Sequence, residues 1–163
     1  MKVLLLTILL ANPLWYADRD QPRIPAEPCD THATVPGYTL PPATDIWVPL
    51  ILAPAIGEYG TDVEIQYDPD VVWVWDVRPT AITDAAGYCF VSNATIPGRV
   101  LVSMYTCREP WGFTGGESGA IFEFEMTTVG QPGTSAVLEI YRIEIDEGAY
   151  FVCKHDGGVE VVE

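Results

Sequence analysis

Two histidines, His32 and His155, and four cysteines, Cys29, Cys89, Cys107 and Cys153, are the residues best suited to metal or nucleophilic chemistry. Cys29-Asp30-Thr31-His32 has a Cys-x-x-His spacing, but one such pair cannot fill a tetrahedral zinc site. The cysteines are even in number and contain no Cys-x-x-Cys, the pattern of two disulfides rather than of a zinc or dithiol centre. Three pairings are open. Cys89–Cys107, which would close a hairpin, and Cys29–Cys153, which would tie the start of a domain to its end, are the expected ones. Gly116-Glu117-Ser118-Gly119 fails the Gly-x-Ser-x-Gly pattern because residue 120 is alanine. No glycine-rich loop is followed by the lysine that a phosphate site requires. Asp68-Pro69-Asp70 lacks the rest of a calcium loop and is expected to be a turn ending a strand. Carboxylate pairs such as Asp146-Glu147 and Glu123/Glu125 could serve acid–base catalysis. In a chain with 23 acidic residues, solvated strand faces explain them better, and one small domain offers little cleft for a glycosidase pair. The reading is non-catalytic, with no cofactor and no resident metal.

The balance of charge narrows the partners. Acidic residues outnumber Lys and Arg 23 to 8 over 163 residues, for a formal charge of −15. Nucleic acid and anionic membrane surfaces are thereby excluded as partners, because their phosphates need facing cations. Met1-Lys2 followed by the apolar Val3–Ala11 has the layout of a secretory signal and is too short to span a bilayer. The expected organisation is a signal peptide over residues 1–17, a Pro-rich linker over 18–28 and one domain over 29–163. The setting is secreted or cell-surface, without an integral membrane span. Asn93-Ala94-Thr95 is a glycosylation sequon in a eukaryotic secretory context.

The elements that would position any site are strands. Val63, Ile65 and Tyr67 alternate with Asp62, Glu64 and Gln66. Val100, Val102 and Met104 alternate with Leu101, Ser103 and Tyr105, and Phe122, Phe124 and Met126 with Glu123 and Glu125. Further strands are expected at 46–52, 71–77, 88–93, 136–145 and 159–162, with turns at Ile96-Pro97-Gly98 and Gly130-Gln131-Pro132-Gly133. Within 136–145 the apolar parity flips from Leu138 and Ile140 to Ile143 and Ile145, which requires a bulge near Tyr141. Eight or nine short strands predict an all-β, two-sheet sandwich with almost no helix.

The order of several segments is specific. Pro36-Gly37, Trp47-Val48-Pro49-Leu50, the stretch Gly57 to Gln66 and then Tyr67-Asp68-Pro69-Asp70-Val71-Val72 resemble the first half of a cohesin domain. Phe90 to Asn93, Gly98-Arg99-Val100, Gly119-Ala120-Ile121-Phe122-Glu123-Phe124 and Gly157-Gly158-Val159-Glu160-Val161 fall where cohesins carry similar segments, so the likeness covers roughly residues 31–162. The resemblance implies a nine-stranded jelly-roll sandwich whose first and last strands lie parallel, which brings Cys29 and Cys153 to one end. It also implies a non-catalytic module that binds a dockerin through one sheet face, the calcium belonging to the dockerin. Cohesins often carry Asn-x-Asp on the strand leading into Tyr-Asp-Pro. Here Gly60 and Asp62 hold those places, and Cys107 stands where an acidic residue is common.

Alternation assigns Asp62, Glu64, Gln66, Leu101, Ser103 and Tyr105 to one outer face, the expected partner-binding surface. In the cohesin-like register Val72 and Val74 point inward, so Trp73 and Trp75 lie on the outer face of the opposite sheet as an aromatic platform. The Pro-rich linker, a sugar ring or a second copy of the chain could cover it. The expected function is an exported module that binds a protein partner, dockerin-like in type, in an assembly linked to polysaccharide degradation. The alternatives are a carbohydrate-binding module and a structural subunit of a surface layer or appendage.

Overall fold

The computed structural model describes residues 28–163; the expected signal segment and the linker through residue 27 lie outside them. The strands are β1 (Thr31–Thr34), β2 (Tyr38–Leu40), β3 (Asp45–Ala53), β4 (Ile56–Gly57), β5 (Gly60–Gln66), β6 (Val72–Pro79) and β7 (Tyr88–Asn93). They continue with β8 (Arg99–Thr106), β9 (Phe113–Thr114), β10 (Gly119–Thr128), β11 (Ser135–Ile145), β12 (Val152–His155) and β13 (Gly157–Val161). One short helix, α1 (Ala81–Ala85), and a 3-10 turn at Asp146–Gly148 complete the described residues. The first sheet has the order β12-β1-β3-β10-β6 and the second β2-β13-β11-β5-β8-β7, with a small β4-β9 ribbon beside them. The result is an all-β sandwich. The strands beyond the eight placed from the sequence are β1, β2, β4, β9 and β12, each of four residues or fewer, too short for alternation to register.

Period two explains the core. Val63, Ile65, Tyr67, Val100, Val102, Met104, Phe122 and Phe124 are all buried between the sheets, as expected. The parity flip in β11 is resolved by a bulge: Ile140 pairs with Ile65 and Arg142 with Glu64, leaving Tyr141 unpaired and exposed. A second bulge in β6 pairs Val74 with Met126 and Asp76 with Glu125, so that Trp75 is the extra residue and Val77 returns to the core.

The ends of the described chain meet as two parallel pairs rather than one. β1 runs beside β12 in the first sheet, and β2 beside β13 in the second. Both segments change sheet at the same level, at Pro36-Gly37 and at Asp156, where the Asp156 carboxylate accepts the Ile140 N–H at 2.8 Å. Gly157 sits there against the Pro36 carbonyl with no room for a Cβ. Cys153 therefore lies within β12, just ahead of the last strand. It forms a disulfide with Cys29, with a Cα–Cα distance of 5.6 Å, and Cys89 pairs with Cys107 across the β7–β8 hairpin at 5.7 Å. Both pairings match the expected ones.

Candidate partner-binding face

The four strands β11, β5, β8 and β7 present one outer surface. Asp62 lies at its centre, opposite Ser103 on β8 and Glu144 on β11, and the Ser103 hydroxyl donates to its carboxylate. Tyr105 is half-exposed between Gly60 on β5 and Cys89 on β7. Gly60 has reason to be glycine: a Cβ there would stand 3.0 Å from the Met104 carbonyl, and any side chain would crowd the ladder next to Tyr105. Leu101 and Gln66 are half-buried, and Ser103 is exposed. Of the six expected residues Glu64 differs most. It has the outward parity but is buried, because Gln66 donates to its carboxylate at 2.7 Å and Arg99 donates twice, at 3.0 and 2.6 Å. The Gln66 hydrogen bond, followed by those from Arg99, holds the Glu64 carboxyl below the usual glutamate range. Glu64 thus anchors Arg99 on the face.

Several residues of this surface were missed by sequence reasoning. Val91 is 57% exposed opposite Ser103 and shares the parity of Cys89 and Asn93, a signal that alternation along β7 contained. Tyr59 is 72% exposed at the end of β5. Its loop is held by Asp146, read from sequence as a solvated acid. The two carboxylate oxygens accept the backbone N–H groups of Glu58, Tyr59 and Gly60 at 2.7, 2.8 and 2.9 Å. Asp62, Ser103, Tyr105, Tyr59, Glu144 and Glu147 line an open groove of about 450 Å³ at this end of the face. Arg99 and Arg142 occupy the other end together with Glu64 and Glu139, so the surface is acidic with aromatic edges on one side and of mixed charge on the other. The arrangement suits a protein surface better than a reacting small molecule: it is shallow and carries exposed aromatic and aliphatic groups among charges.

On the outer face of the first sheet, Val72 and Val74 are buried beneath Trp73, which is half-buried, and Trp75, which is 63% exposed. The register expected for this strand therefore holds. The two indoles are 5.8 Å apart at a tilt of 55°, so they do not form one flat platform. Trp75 Nε1 donates to Thr127 Oγ1 at 2.7 Å, and that hydroxyl in turn donates to Asp45, which fixes the ring. Trp47 lies on the same face under the Arg78 guanidinium, 3.8 Å from its ring centroid, and Arg78 is bound to Glu123 at 2.7 Å. Among the described residues no helix is long and apolar enough to cross a membrane.

No protein-family model matches the chain, and no curated protein matches it. Solved structures do. A non-cellulosomal cohesin from the hyperthermophilic archaeon Archaeoglobus fulgidus superposes with a TM-score of 0.67 at 20% identity, over 82% of this chain and 91% of that one. The cohesin of a type I cohesin–dockerin complex from Clostridium thermocellum gives 0.66 at 16% identity, over 82% and 96%. The sixth cohesin of Acetivibrio cellulolyticus scaffoldin B, in complex with a Cel5 dockerin variant, gives 0.64 at 14% identity, over 80% and 98%. Agreement at this level, across nearly all of each cohesin, shows that the described residues form a cohesin-like domain.

Proposed function

We propose that this domain is a non-catalytic recognition module that binds a protein partner of the dockerin type through the outer face of β11, β5, β8 and β7. The carrying observation is the company kept by Asp62: Tyr105, Val91 and Tyr59 lie exposed among acids on a regular, shallow surface. Apolar and aromatic groups so placed favour burial against a partner, and the acidic groove favours one that presents Lys or Arg. Two of the cohesins similar to this chain were solved in complex with dockerins, which supports that class of partner. Two disulfides suit an oxidising compartment, and we place the module outside the cell or at its surface, in an assembly acting on polysaccharide. Calorimetric titration against a panel of calcium-loaded dockerin modules tests the proposal. Asp62→Arg is expected to weaken the complex at least about tenfold by placing a cation against the partner's cations, while the unfolding midpoint moves by less than about 3 °C. An unchanged affinity removes Asp62 and its groove from the interface, and hydrolysis abolished by a single carboxylate substitution would overturn the non-catalytic reading.

The exposure of Trp75 favours one second reading, a carbohydrate-binding module. With the rings tilted by 55°, one indole at a time would stack on a sugar. Substituting both Trp73 and Trp75 by alanine is expected to abolish retention on insoluble polysaccharide while the fold survives; retention equal to that of the parent chain returns both residues to a structural role.

A further inference from the structure

The parallel pairing of β1 with β12 brings together four metal-ligating side chains that are far apart in sequence. His32 is the ladder partner of Cys153, His155 follows two residues later on the same side of β12, and Cys29 precedes β1. Donor atoms of Cys29, His32 and Cys153 lie within 4.8 Å of one another. His32 Nδ1 and His155 Nε2 are 2.9 Å apart, with the rings stacked at 5.2 Å and 19°. Neither histidine serves the core, since both rings are exposed. His155 is not among those three donors but lies against His32, so Cys153-x-His155 offers the fourth ligand that the Cys29-x-x-His32 pair lacks once its ring turns toward the sulfurs.

We propose that Cys29, His32, Cys153 and His155 form a Cys2His2 zinc site when the Cys29–Cys153 disulfide is reduced. The tie between the two ends of the domain would then exist in two forms, a covalent one and a metal one. In the reducing step a dithiol gives two electrons and two protons. The Sγ–Sγ bond breaks, each sulfur gains a proton, and the dithiol becomes its cyclic disulfide. Zn²⁺ then displaces both thiol protons and accepts a lone pair from each imidazole. Tetrahedral bond lengths set the nitrogen–nitrogen edge of such a site at about 3.3 Å and the sulfur–sulfur edge at about 3.8 Å. The histidine pair therefore opens by a few tenths of an ångström as its hydrogen bond is exchanged for the metal, and the thiolates separate from bonding distance. The strand ladder holds the Cα positions of His32, Cys153 and His155, and the Asp30 N–H, bonded to the Phe151 carbonyl at 2.9 Å, holds the chain next to Cys29. The chain's charge of −15 also favours a cation. This site lies on the sheet opposite the partner-binding face, and its test is independent of that reading.

The full chain is reduced with a dithiol, desalted without oxygen and titrated with Co²⁺ and then Zn²⁺. The expected result is one Co²⁺ per chain with thiolate charge-transfer absorption, displaced by one equivalent of Zn²⁺; the oxidised chain gives no such band. The exposed double variant H32A/H155A should bind Zn²⁺ about 100-fold more weakly or worse. In the parent chain Zn²⁺ should shield Cys29 and Cys153, but not Cys89 and Cys107, from alkylation as read residue by residue in a mass spectrum. No thiolate band in the reduced chain, affinity unaltered in H32A/H155A, or shielding confined to Cys89 and Cys107 would each overturn the site.

Discussion

Replacing Cys29 and Cys153 together with serine is expected to cost far more stability than replacing Cys89 and Cys107, although each change removes one disulfide. The two bonds close loops of very different size, with sequence separations of 124 and 18. Loop-closure entropy in the unfolded chain gives about 5 kcal/mol for the longer loop and about 3 kcal/mol for the shorter. Denaturant unfolding of the parent chain and the two double variants, in buffer containing a chelator, measures both differences. Equal losses would mean that local packing at each bond, and not loop entropy, decides what the bond contributes.

Gly87→Ala is the second change with a large expected effect. Gly87 has φ +79, which costs an L residue about 1–2 kcal/mol, and a Cβ there would stand inside van der Waals contact of the Arg108 and Pro110 backbone oxygens. Neither oxygen can swing away as a side chain would. The Gly87 carbonyl already accepts the Cys107 and Arg108 N–H groups at 3.1 and 3.3 Å. Steric strain of about 1–3 kcal/mol adds to the cost of the left-handed backbone, for a loss of about 2–5 kcal/mol. Gly133 is the matched control. It has φ +87 with open space where a Cβ would go, so Gly133→Ala should cost only about 1–2 kcal/mol. Similar losses at the two positions would show that the close approach at Gly87 is relieved by movement of the Arg108–Pro110 segment.

The strands that carry the candidate site were legible because one face of each is buried. Val63, Ile65, Val100 and Val102 set the parity of β5 and β8, and Asp62, Ser103 and Tyr105 followed from it. The flip between Ile140 and Ile143 located the bulge at Tyr141 for the same reason. Features that depend on residues far apart in sequence escaped. Glu64 has an outward parity, and its burial depends in part on Arg99, 35 residues away. Asp146 looked like one acid among many until the Glu58–Gly60 loop, nearly ninety residues earlier, was brought against its carboxylate. The bulge at Trp75 left only one apolar residue beyond the flip, Val77, which strict alternation would have sent outward. Trp47 was readable as outward from its neighbours Val48 and Leu50, but its place on the face of Trp73 and Trp75 depends on β10 lying between β3 and β6.

The side-by-side run of β1–β2 and β12–β13 also sets how the domain would carry mechanical load. Residue 28 enters beside Cys153, while the chain leaves past Val161 at the far end of the same pair of segments, next to Leu40. Tension between residues 28 and 163 therefore pulls along the strands and loads their hydrogen bonds together in shear, instead of opening them one by one. With the Cys29–Cys153 bond intact, the covalent path runs directly from Cys29 to Cys153, and the polypeptide between them cannot be drawn out. Only the residues after Cys153 can be drawn out, a length of about 35 Å at full extension. The outer face of β11, β5, β8 and β7, built entirely from strands within the bypassed stretch, keeps its geometry while the domain is under strain.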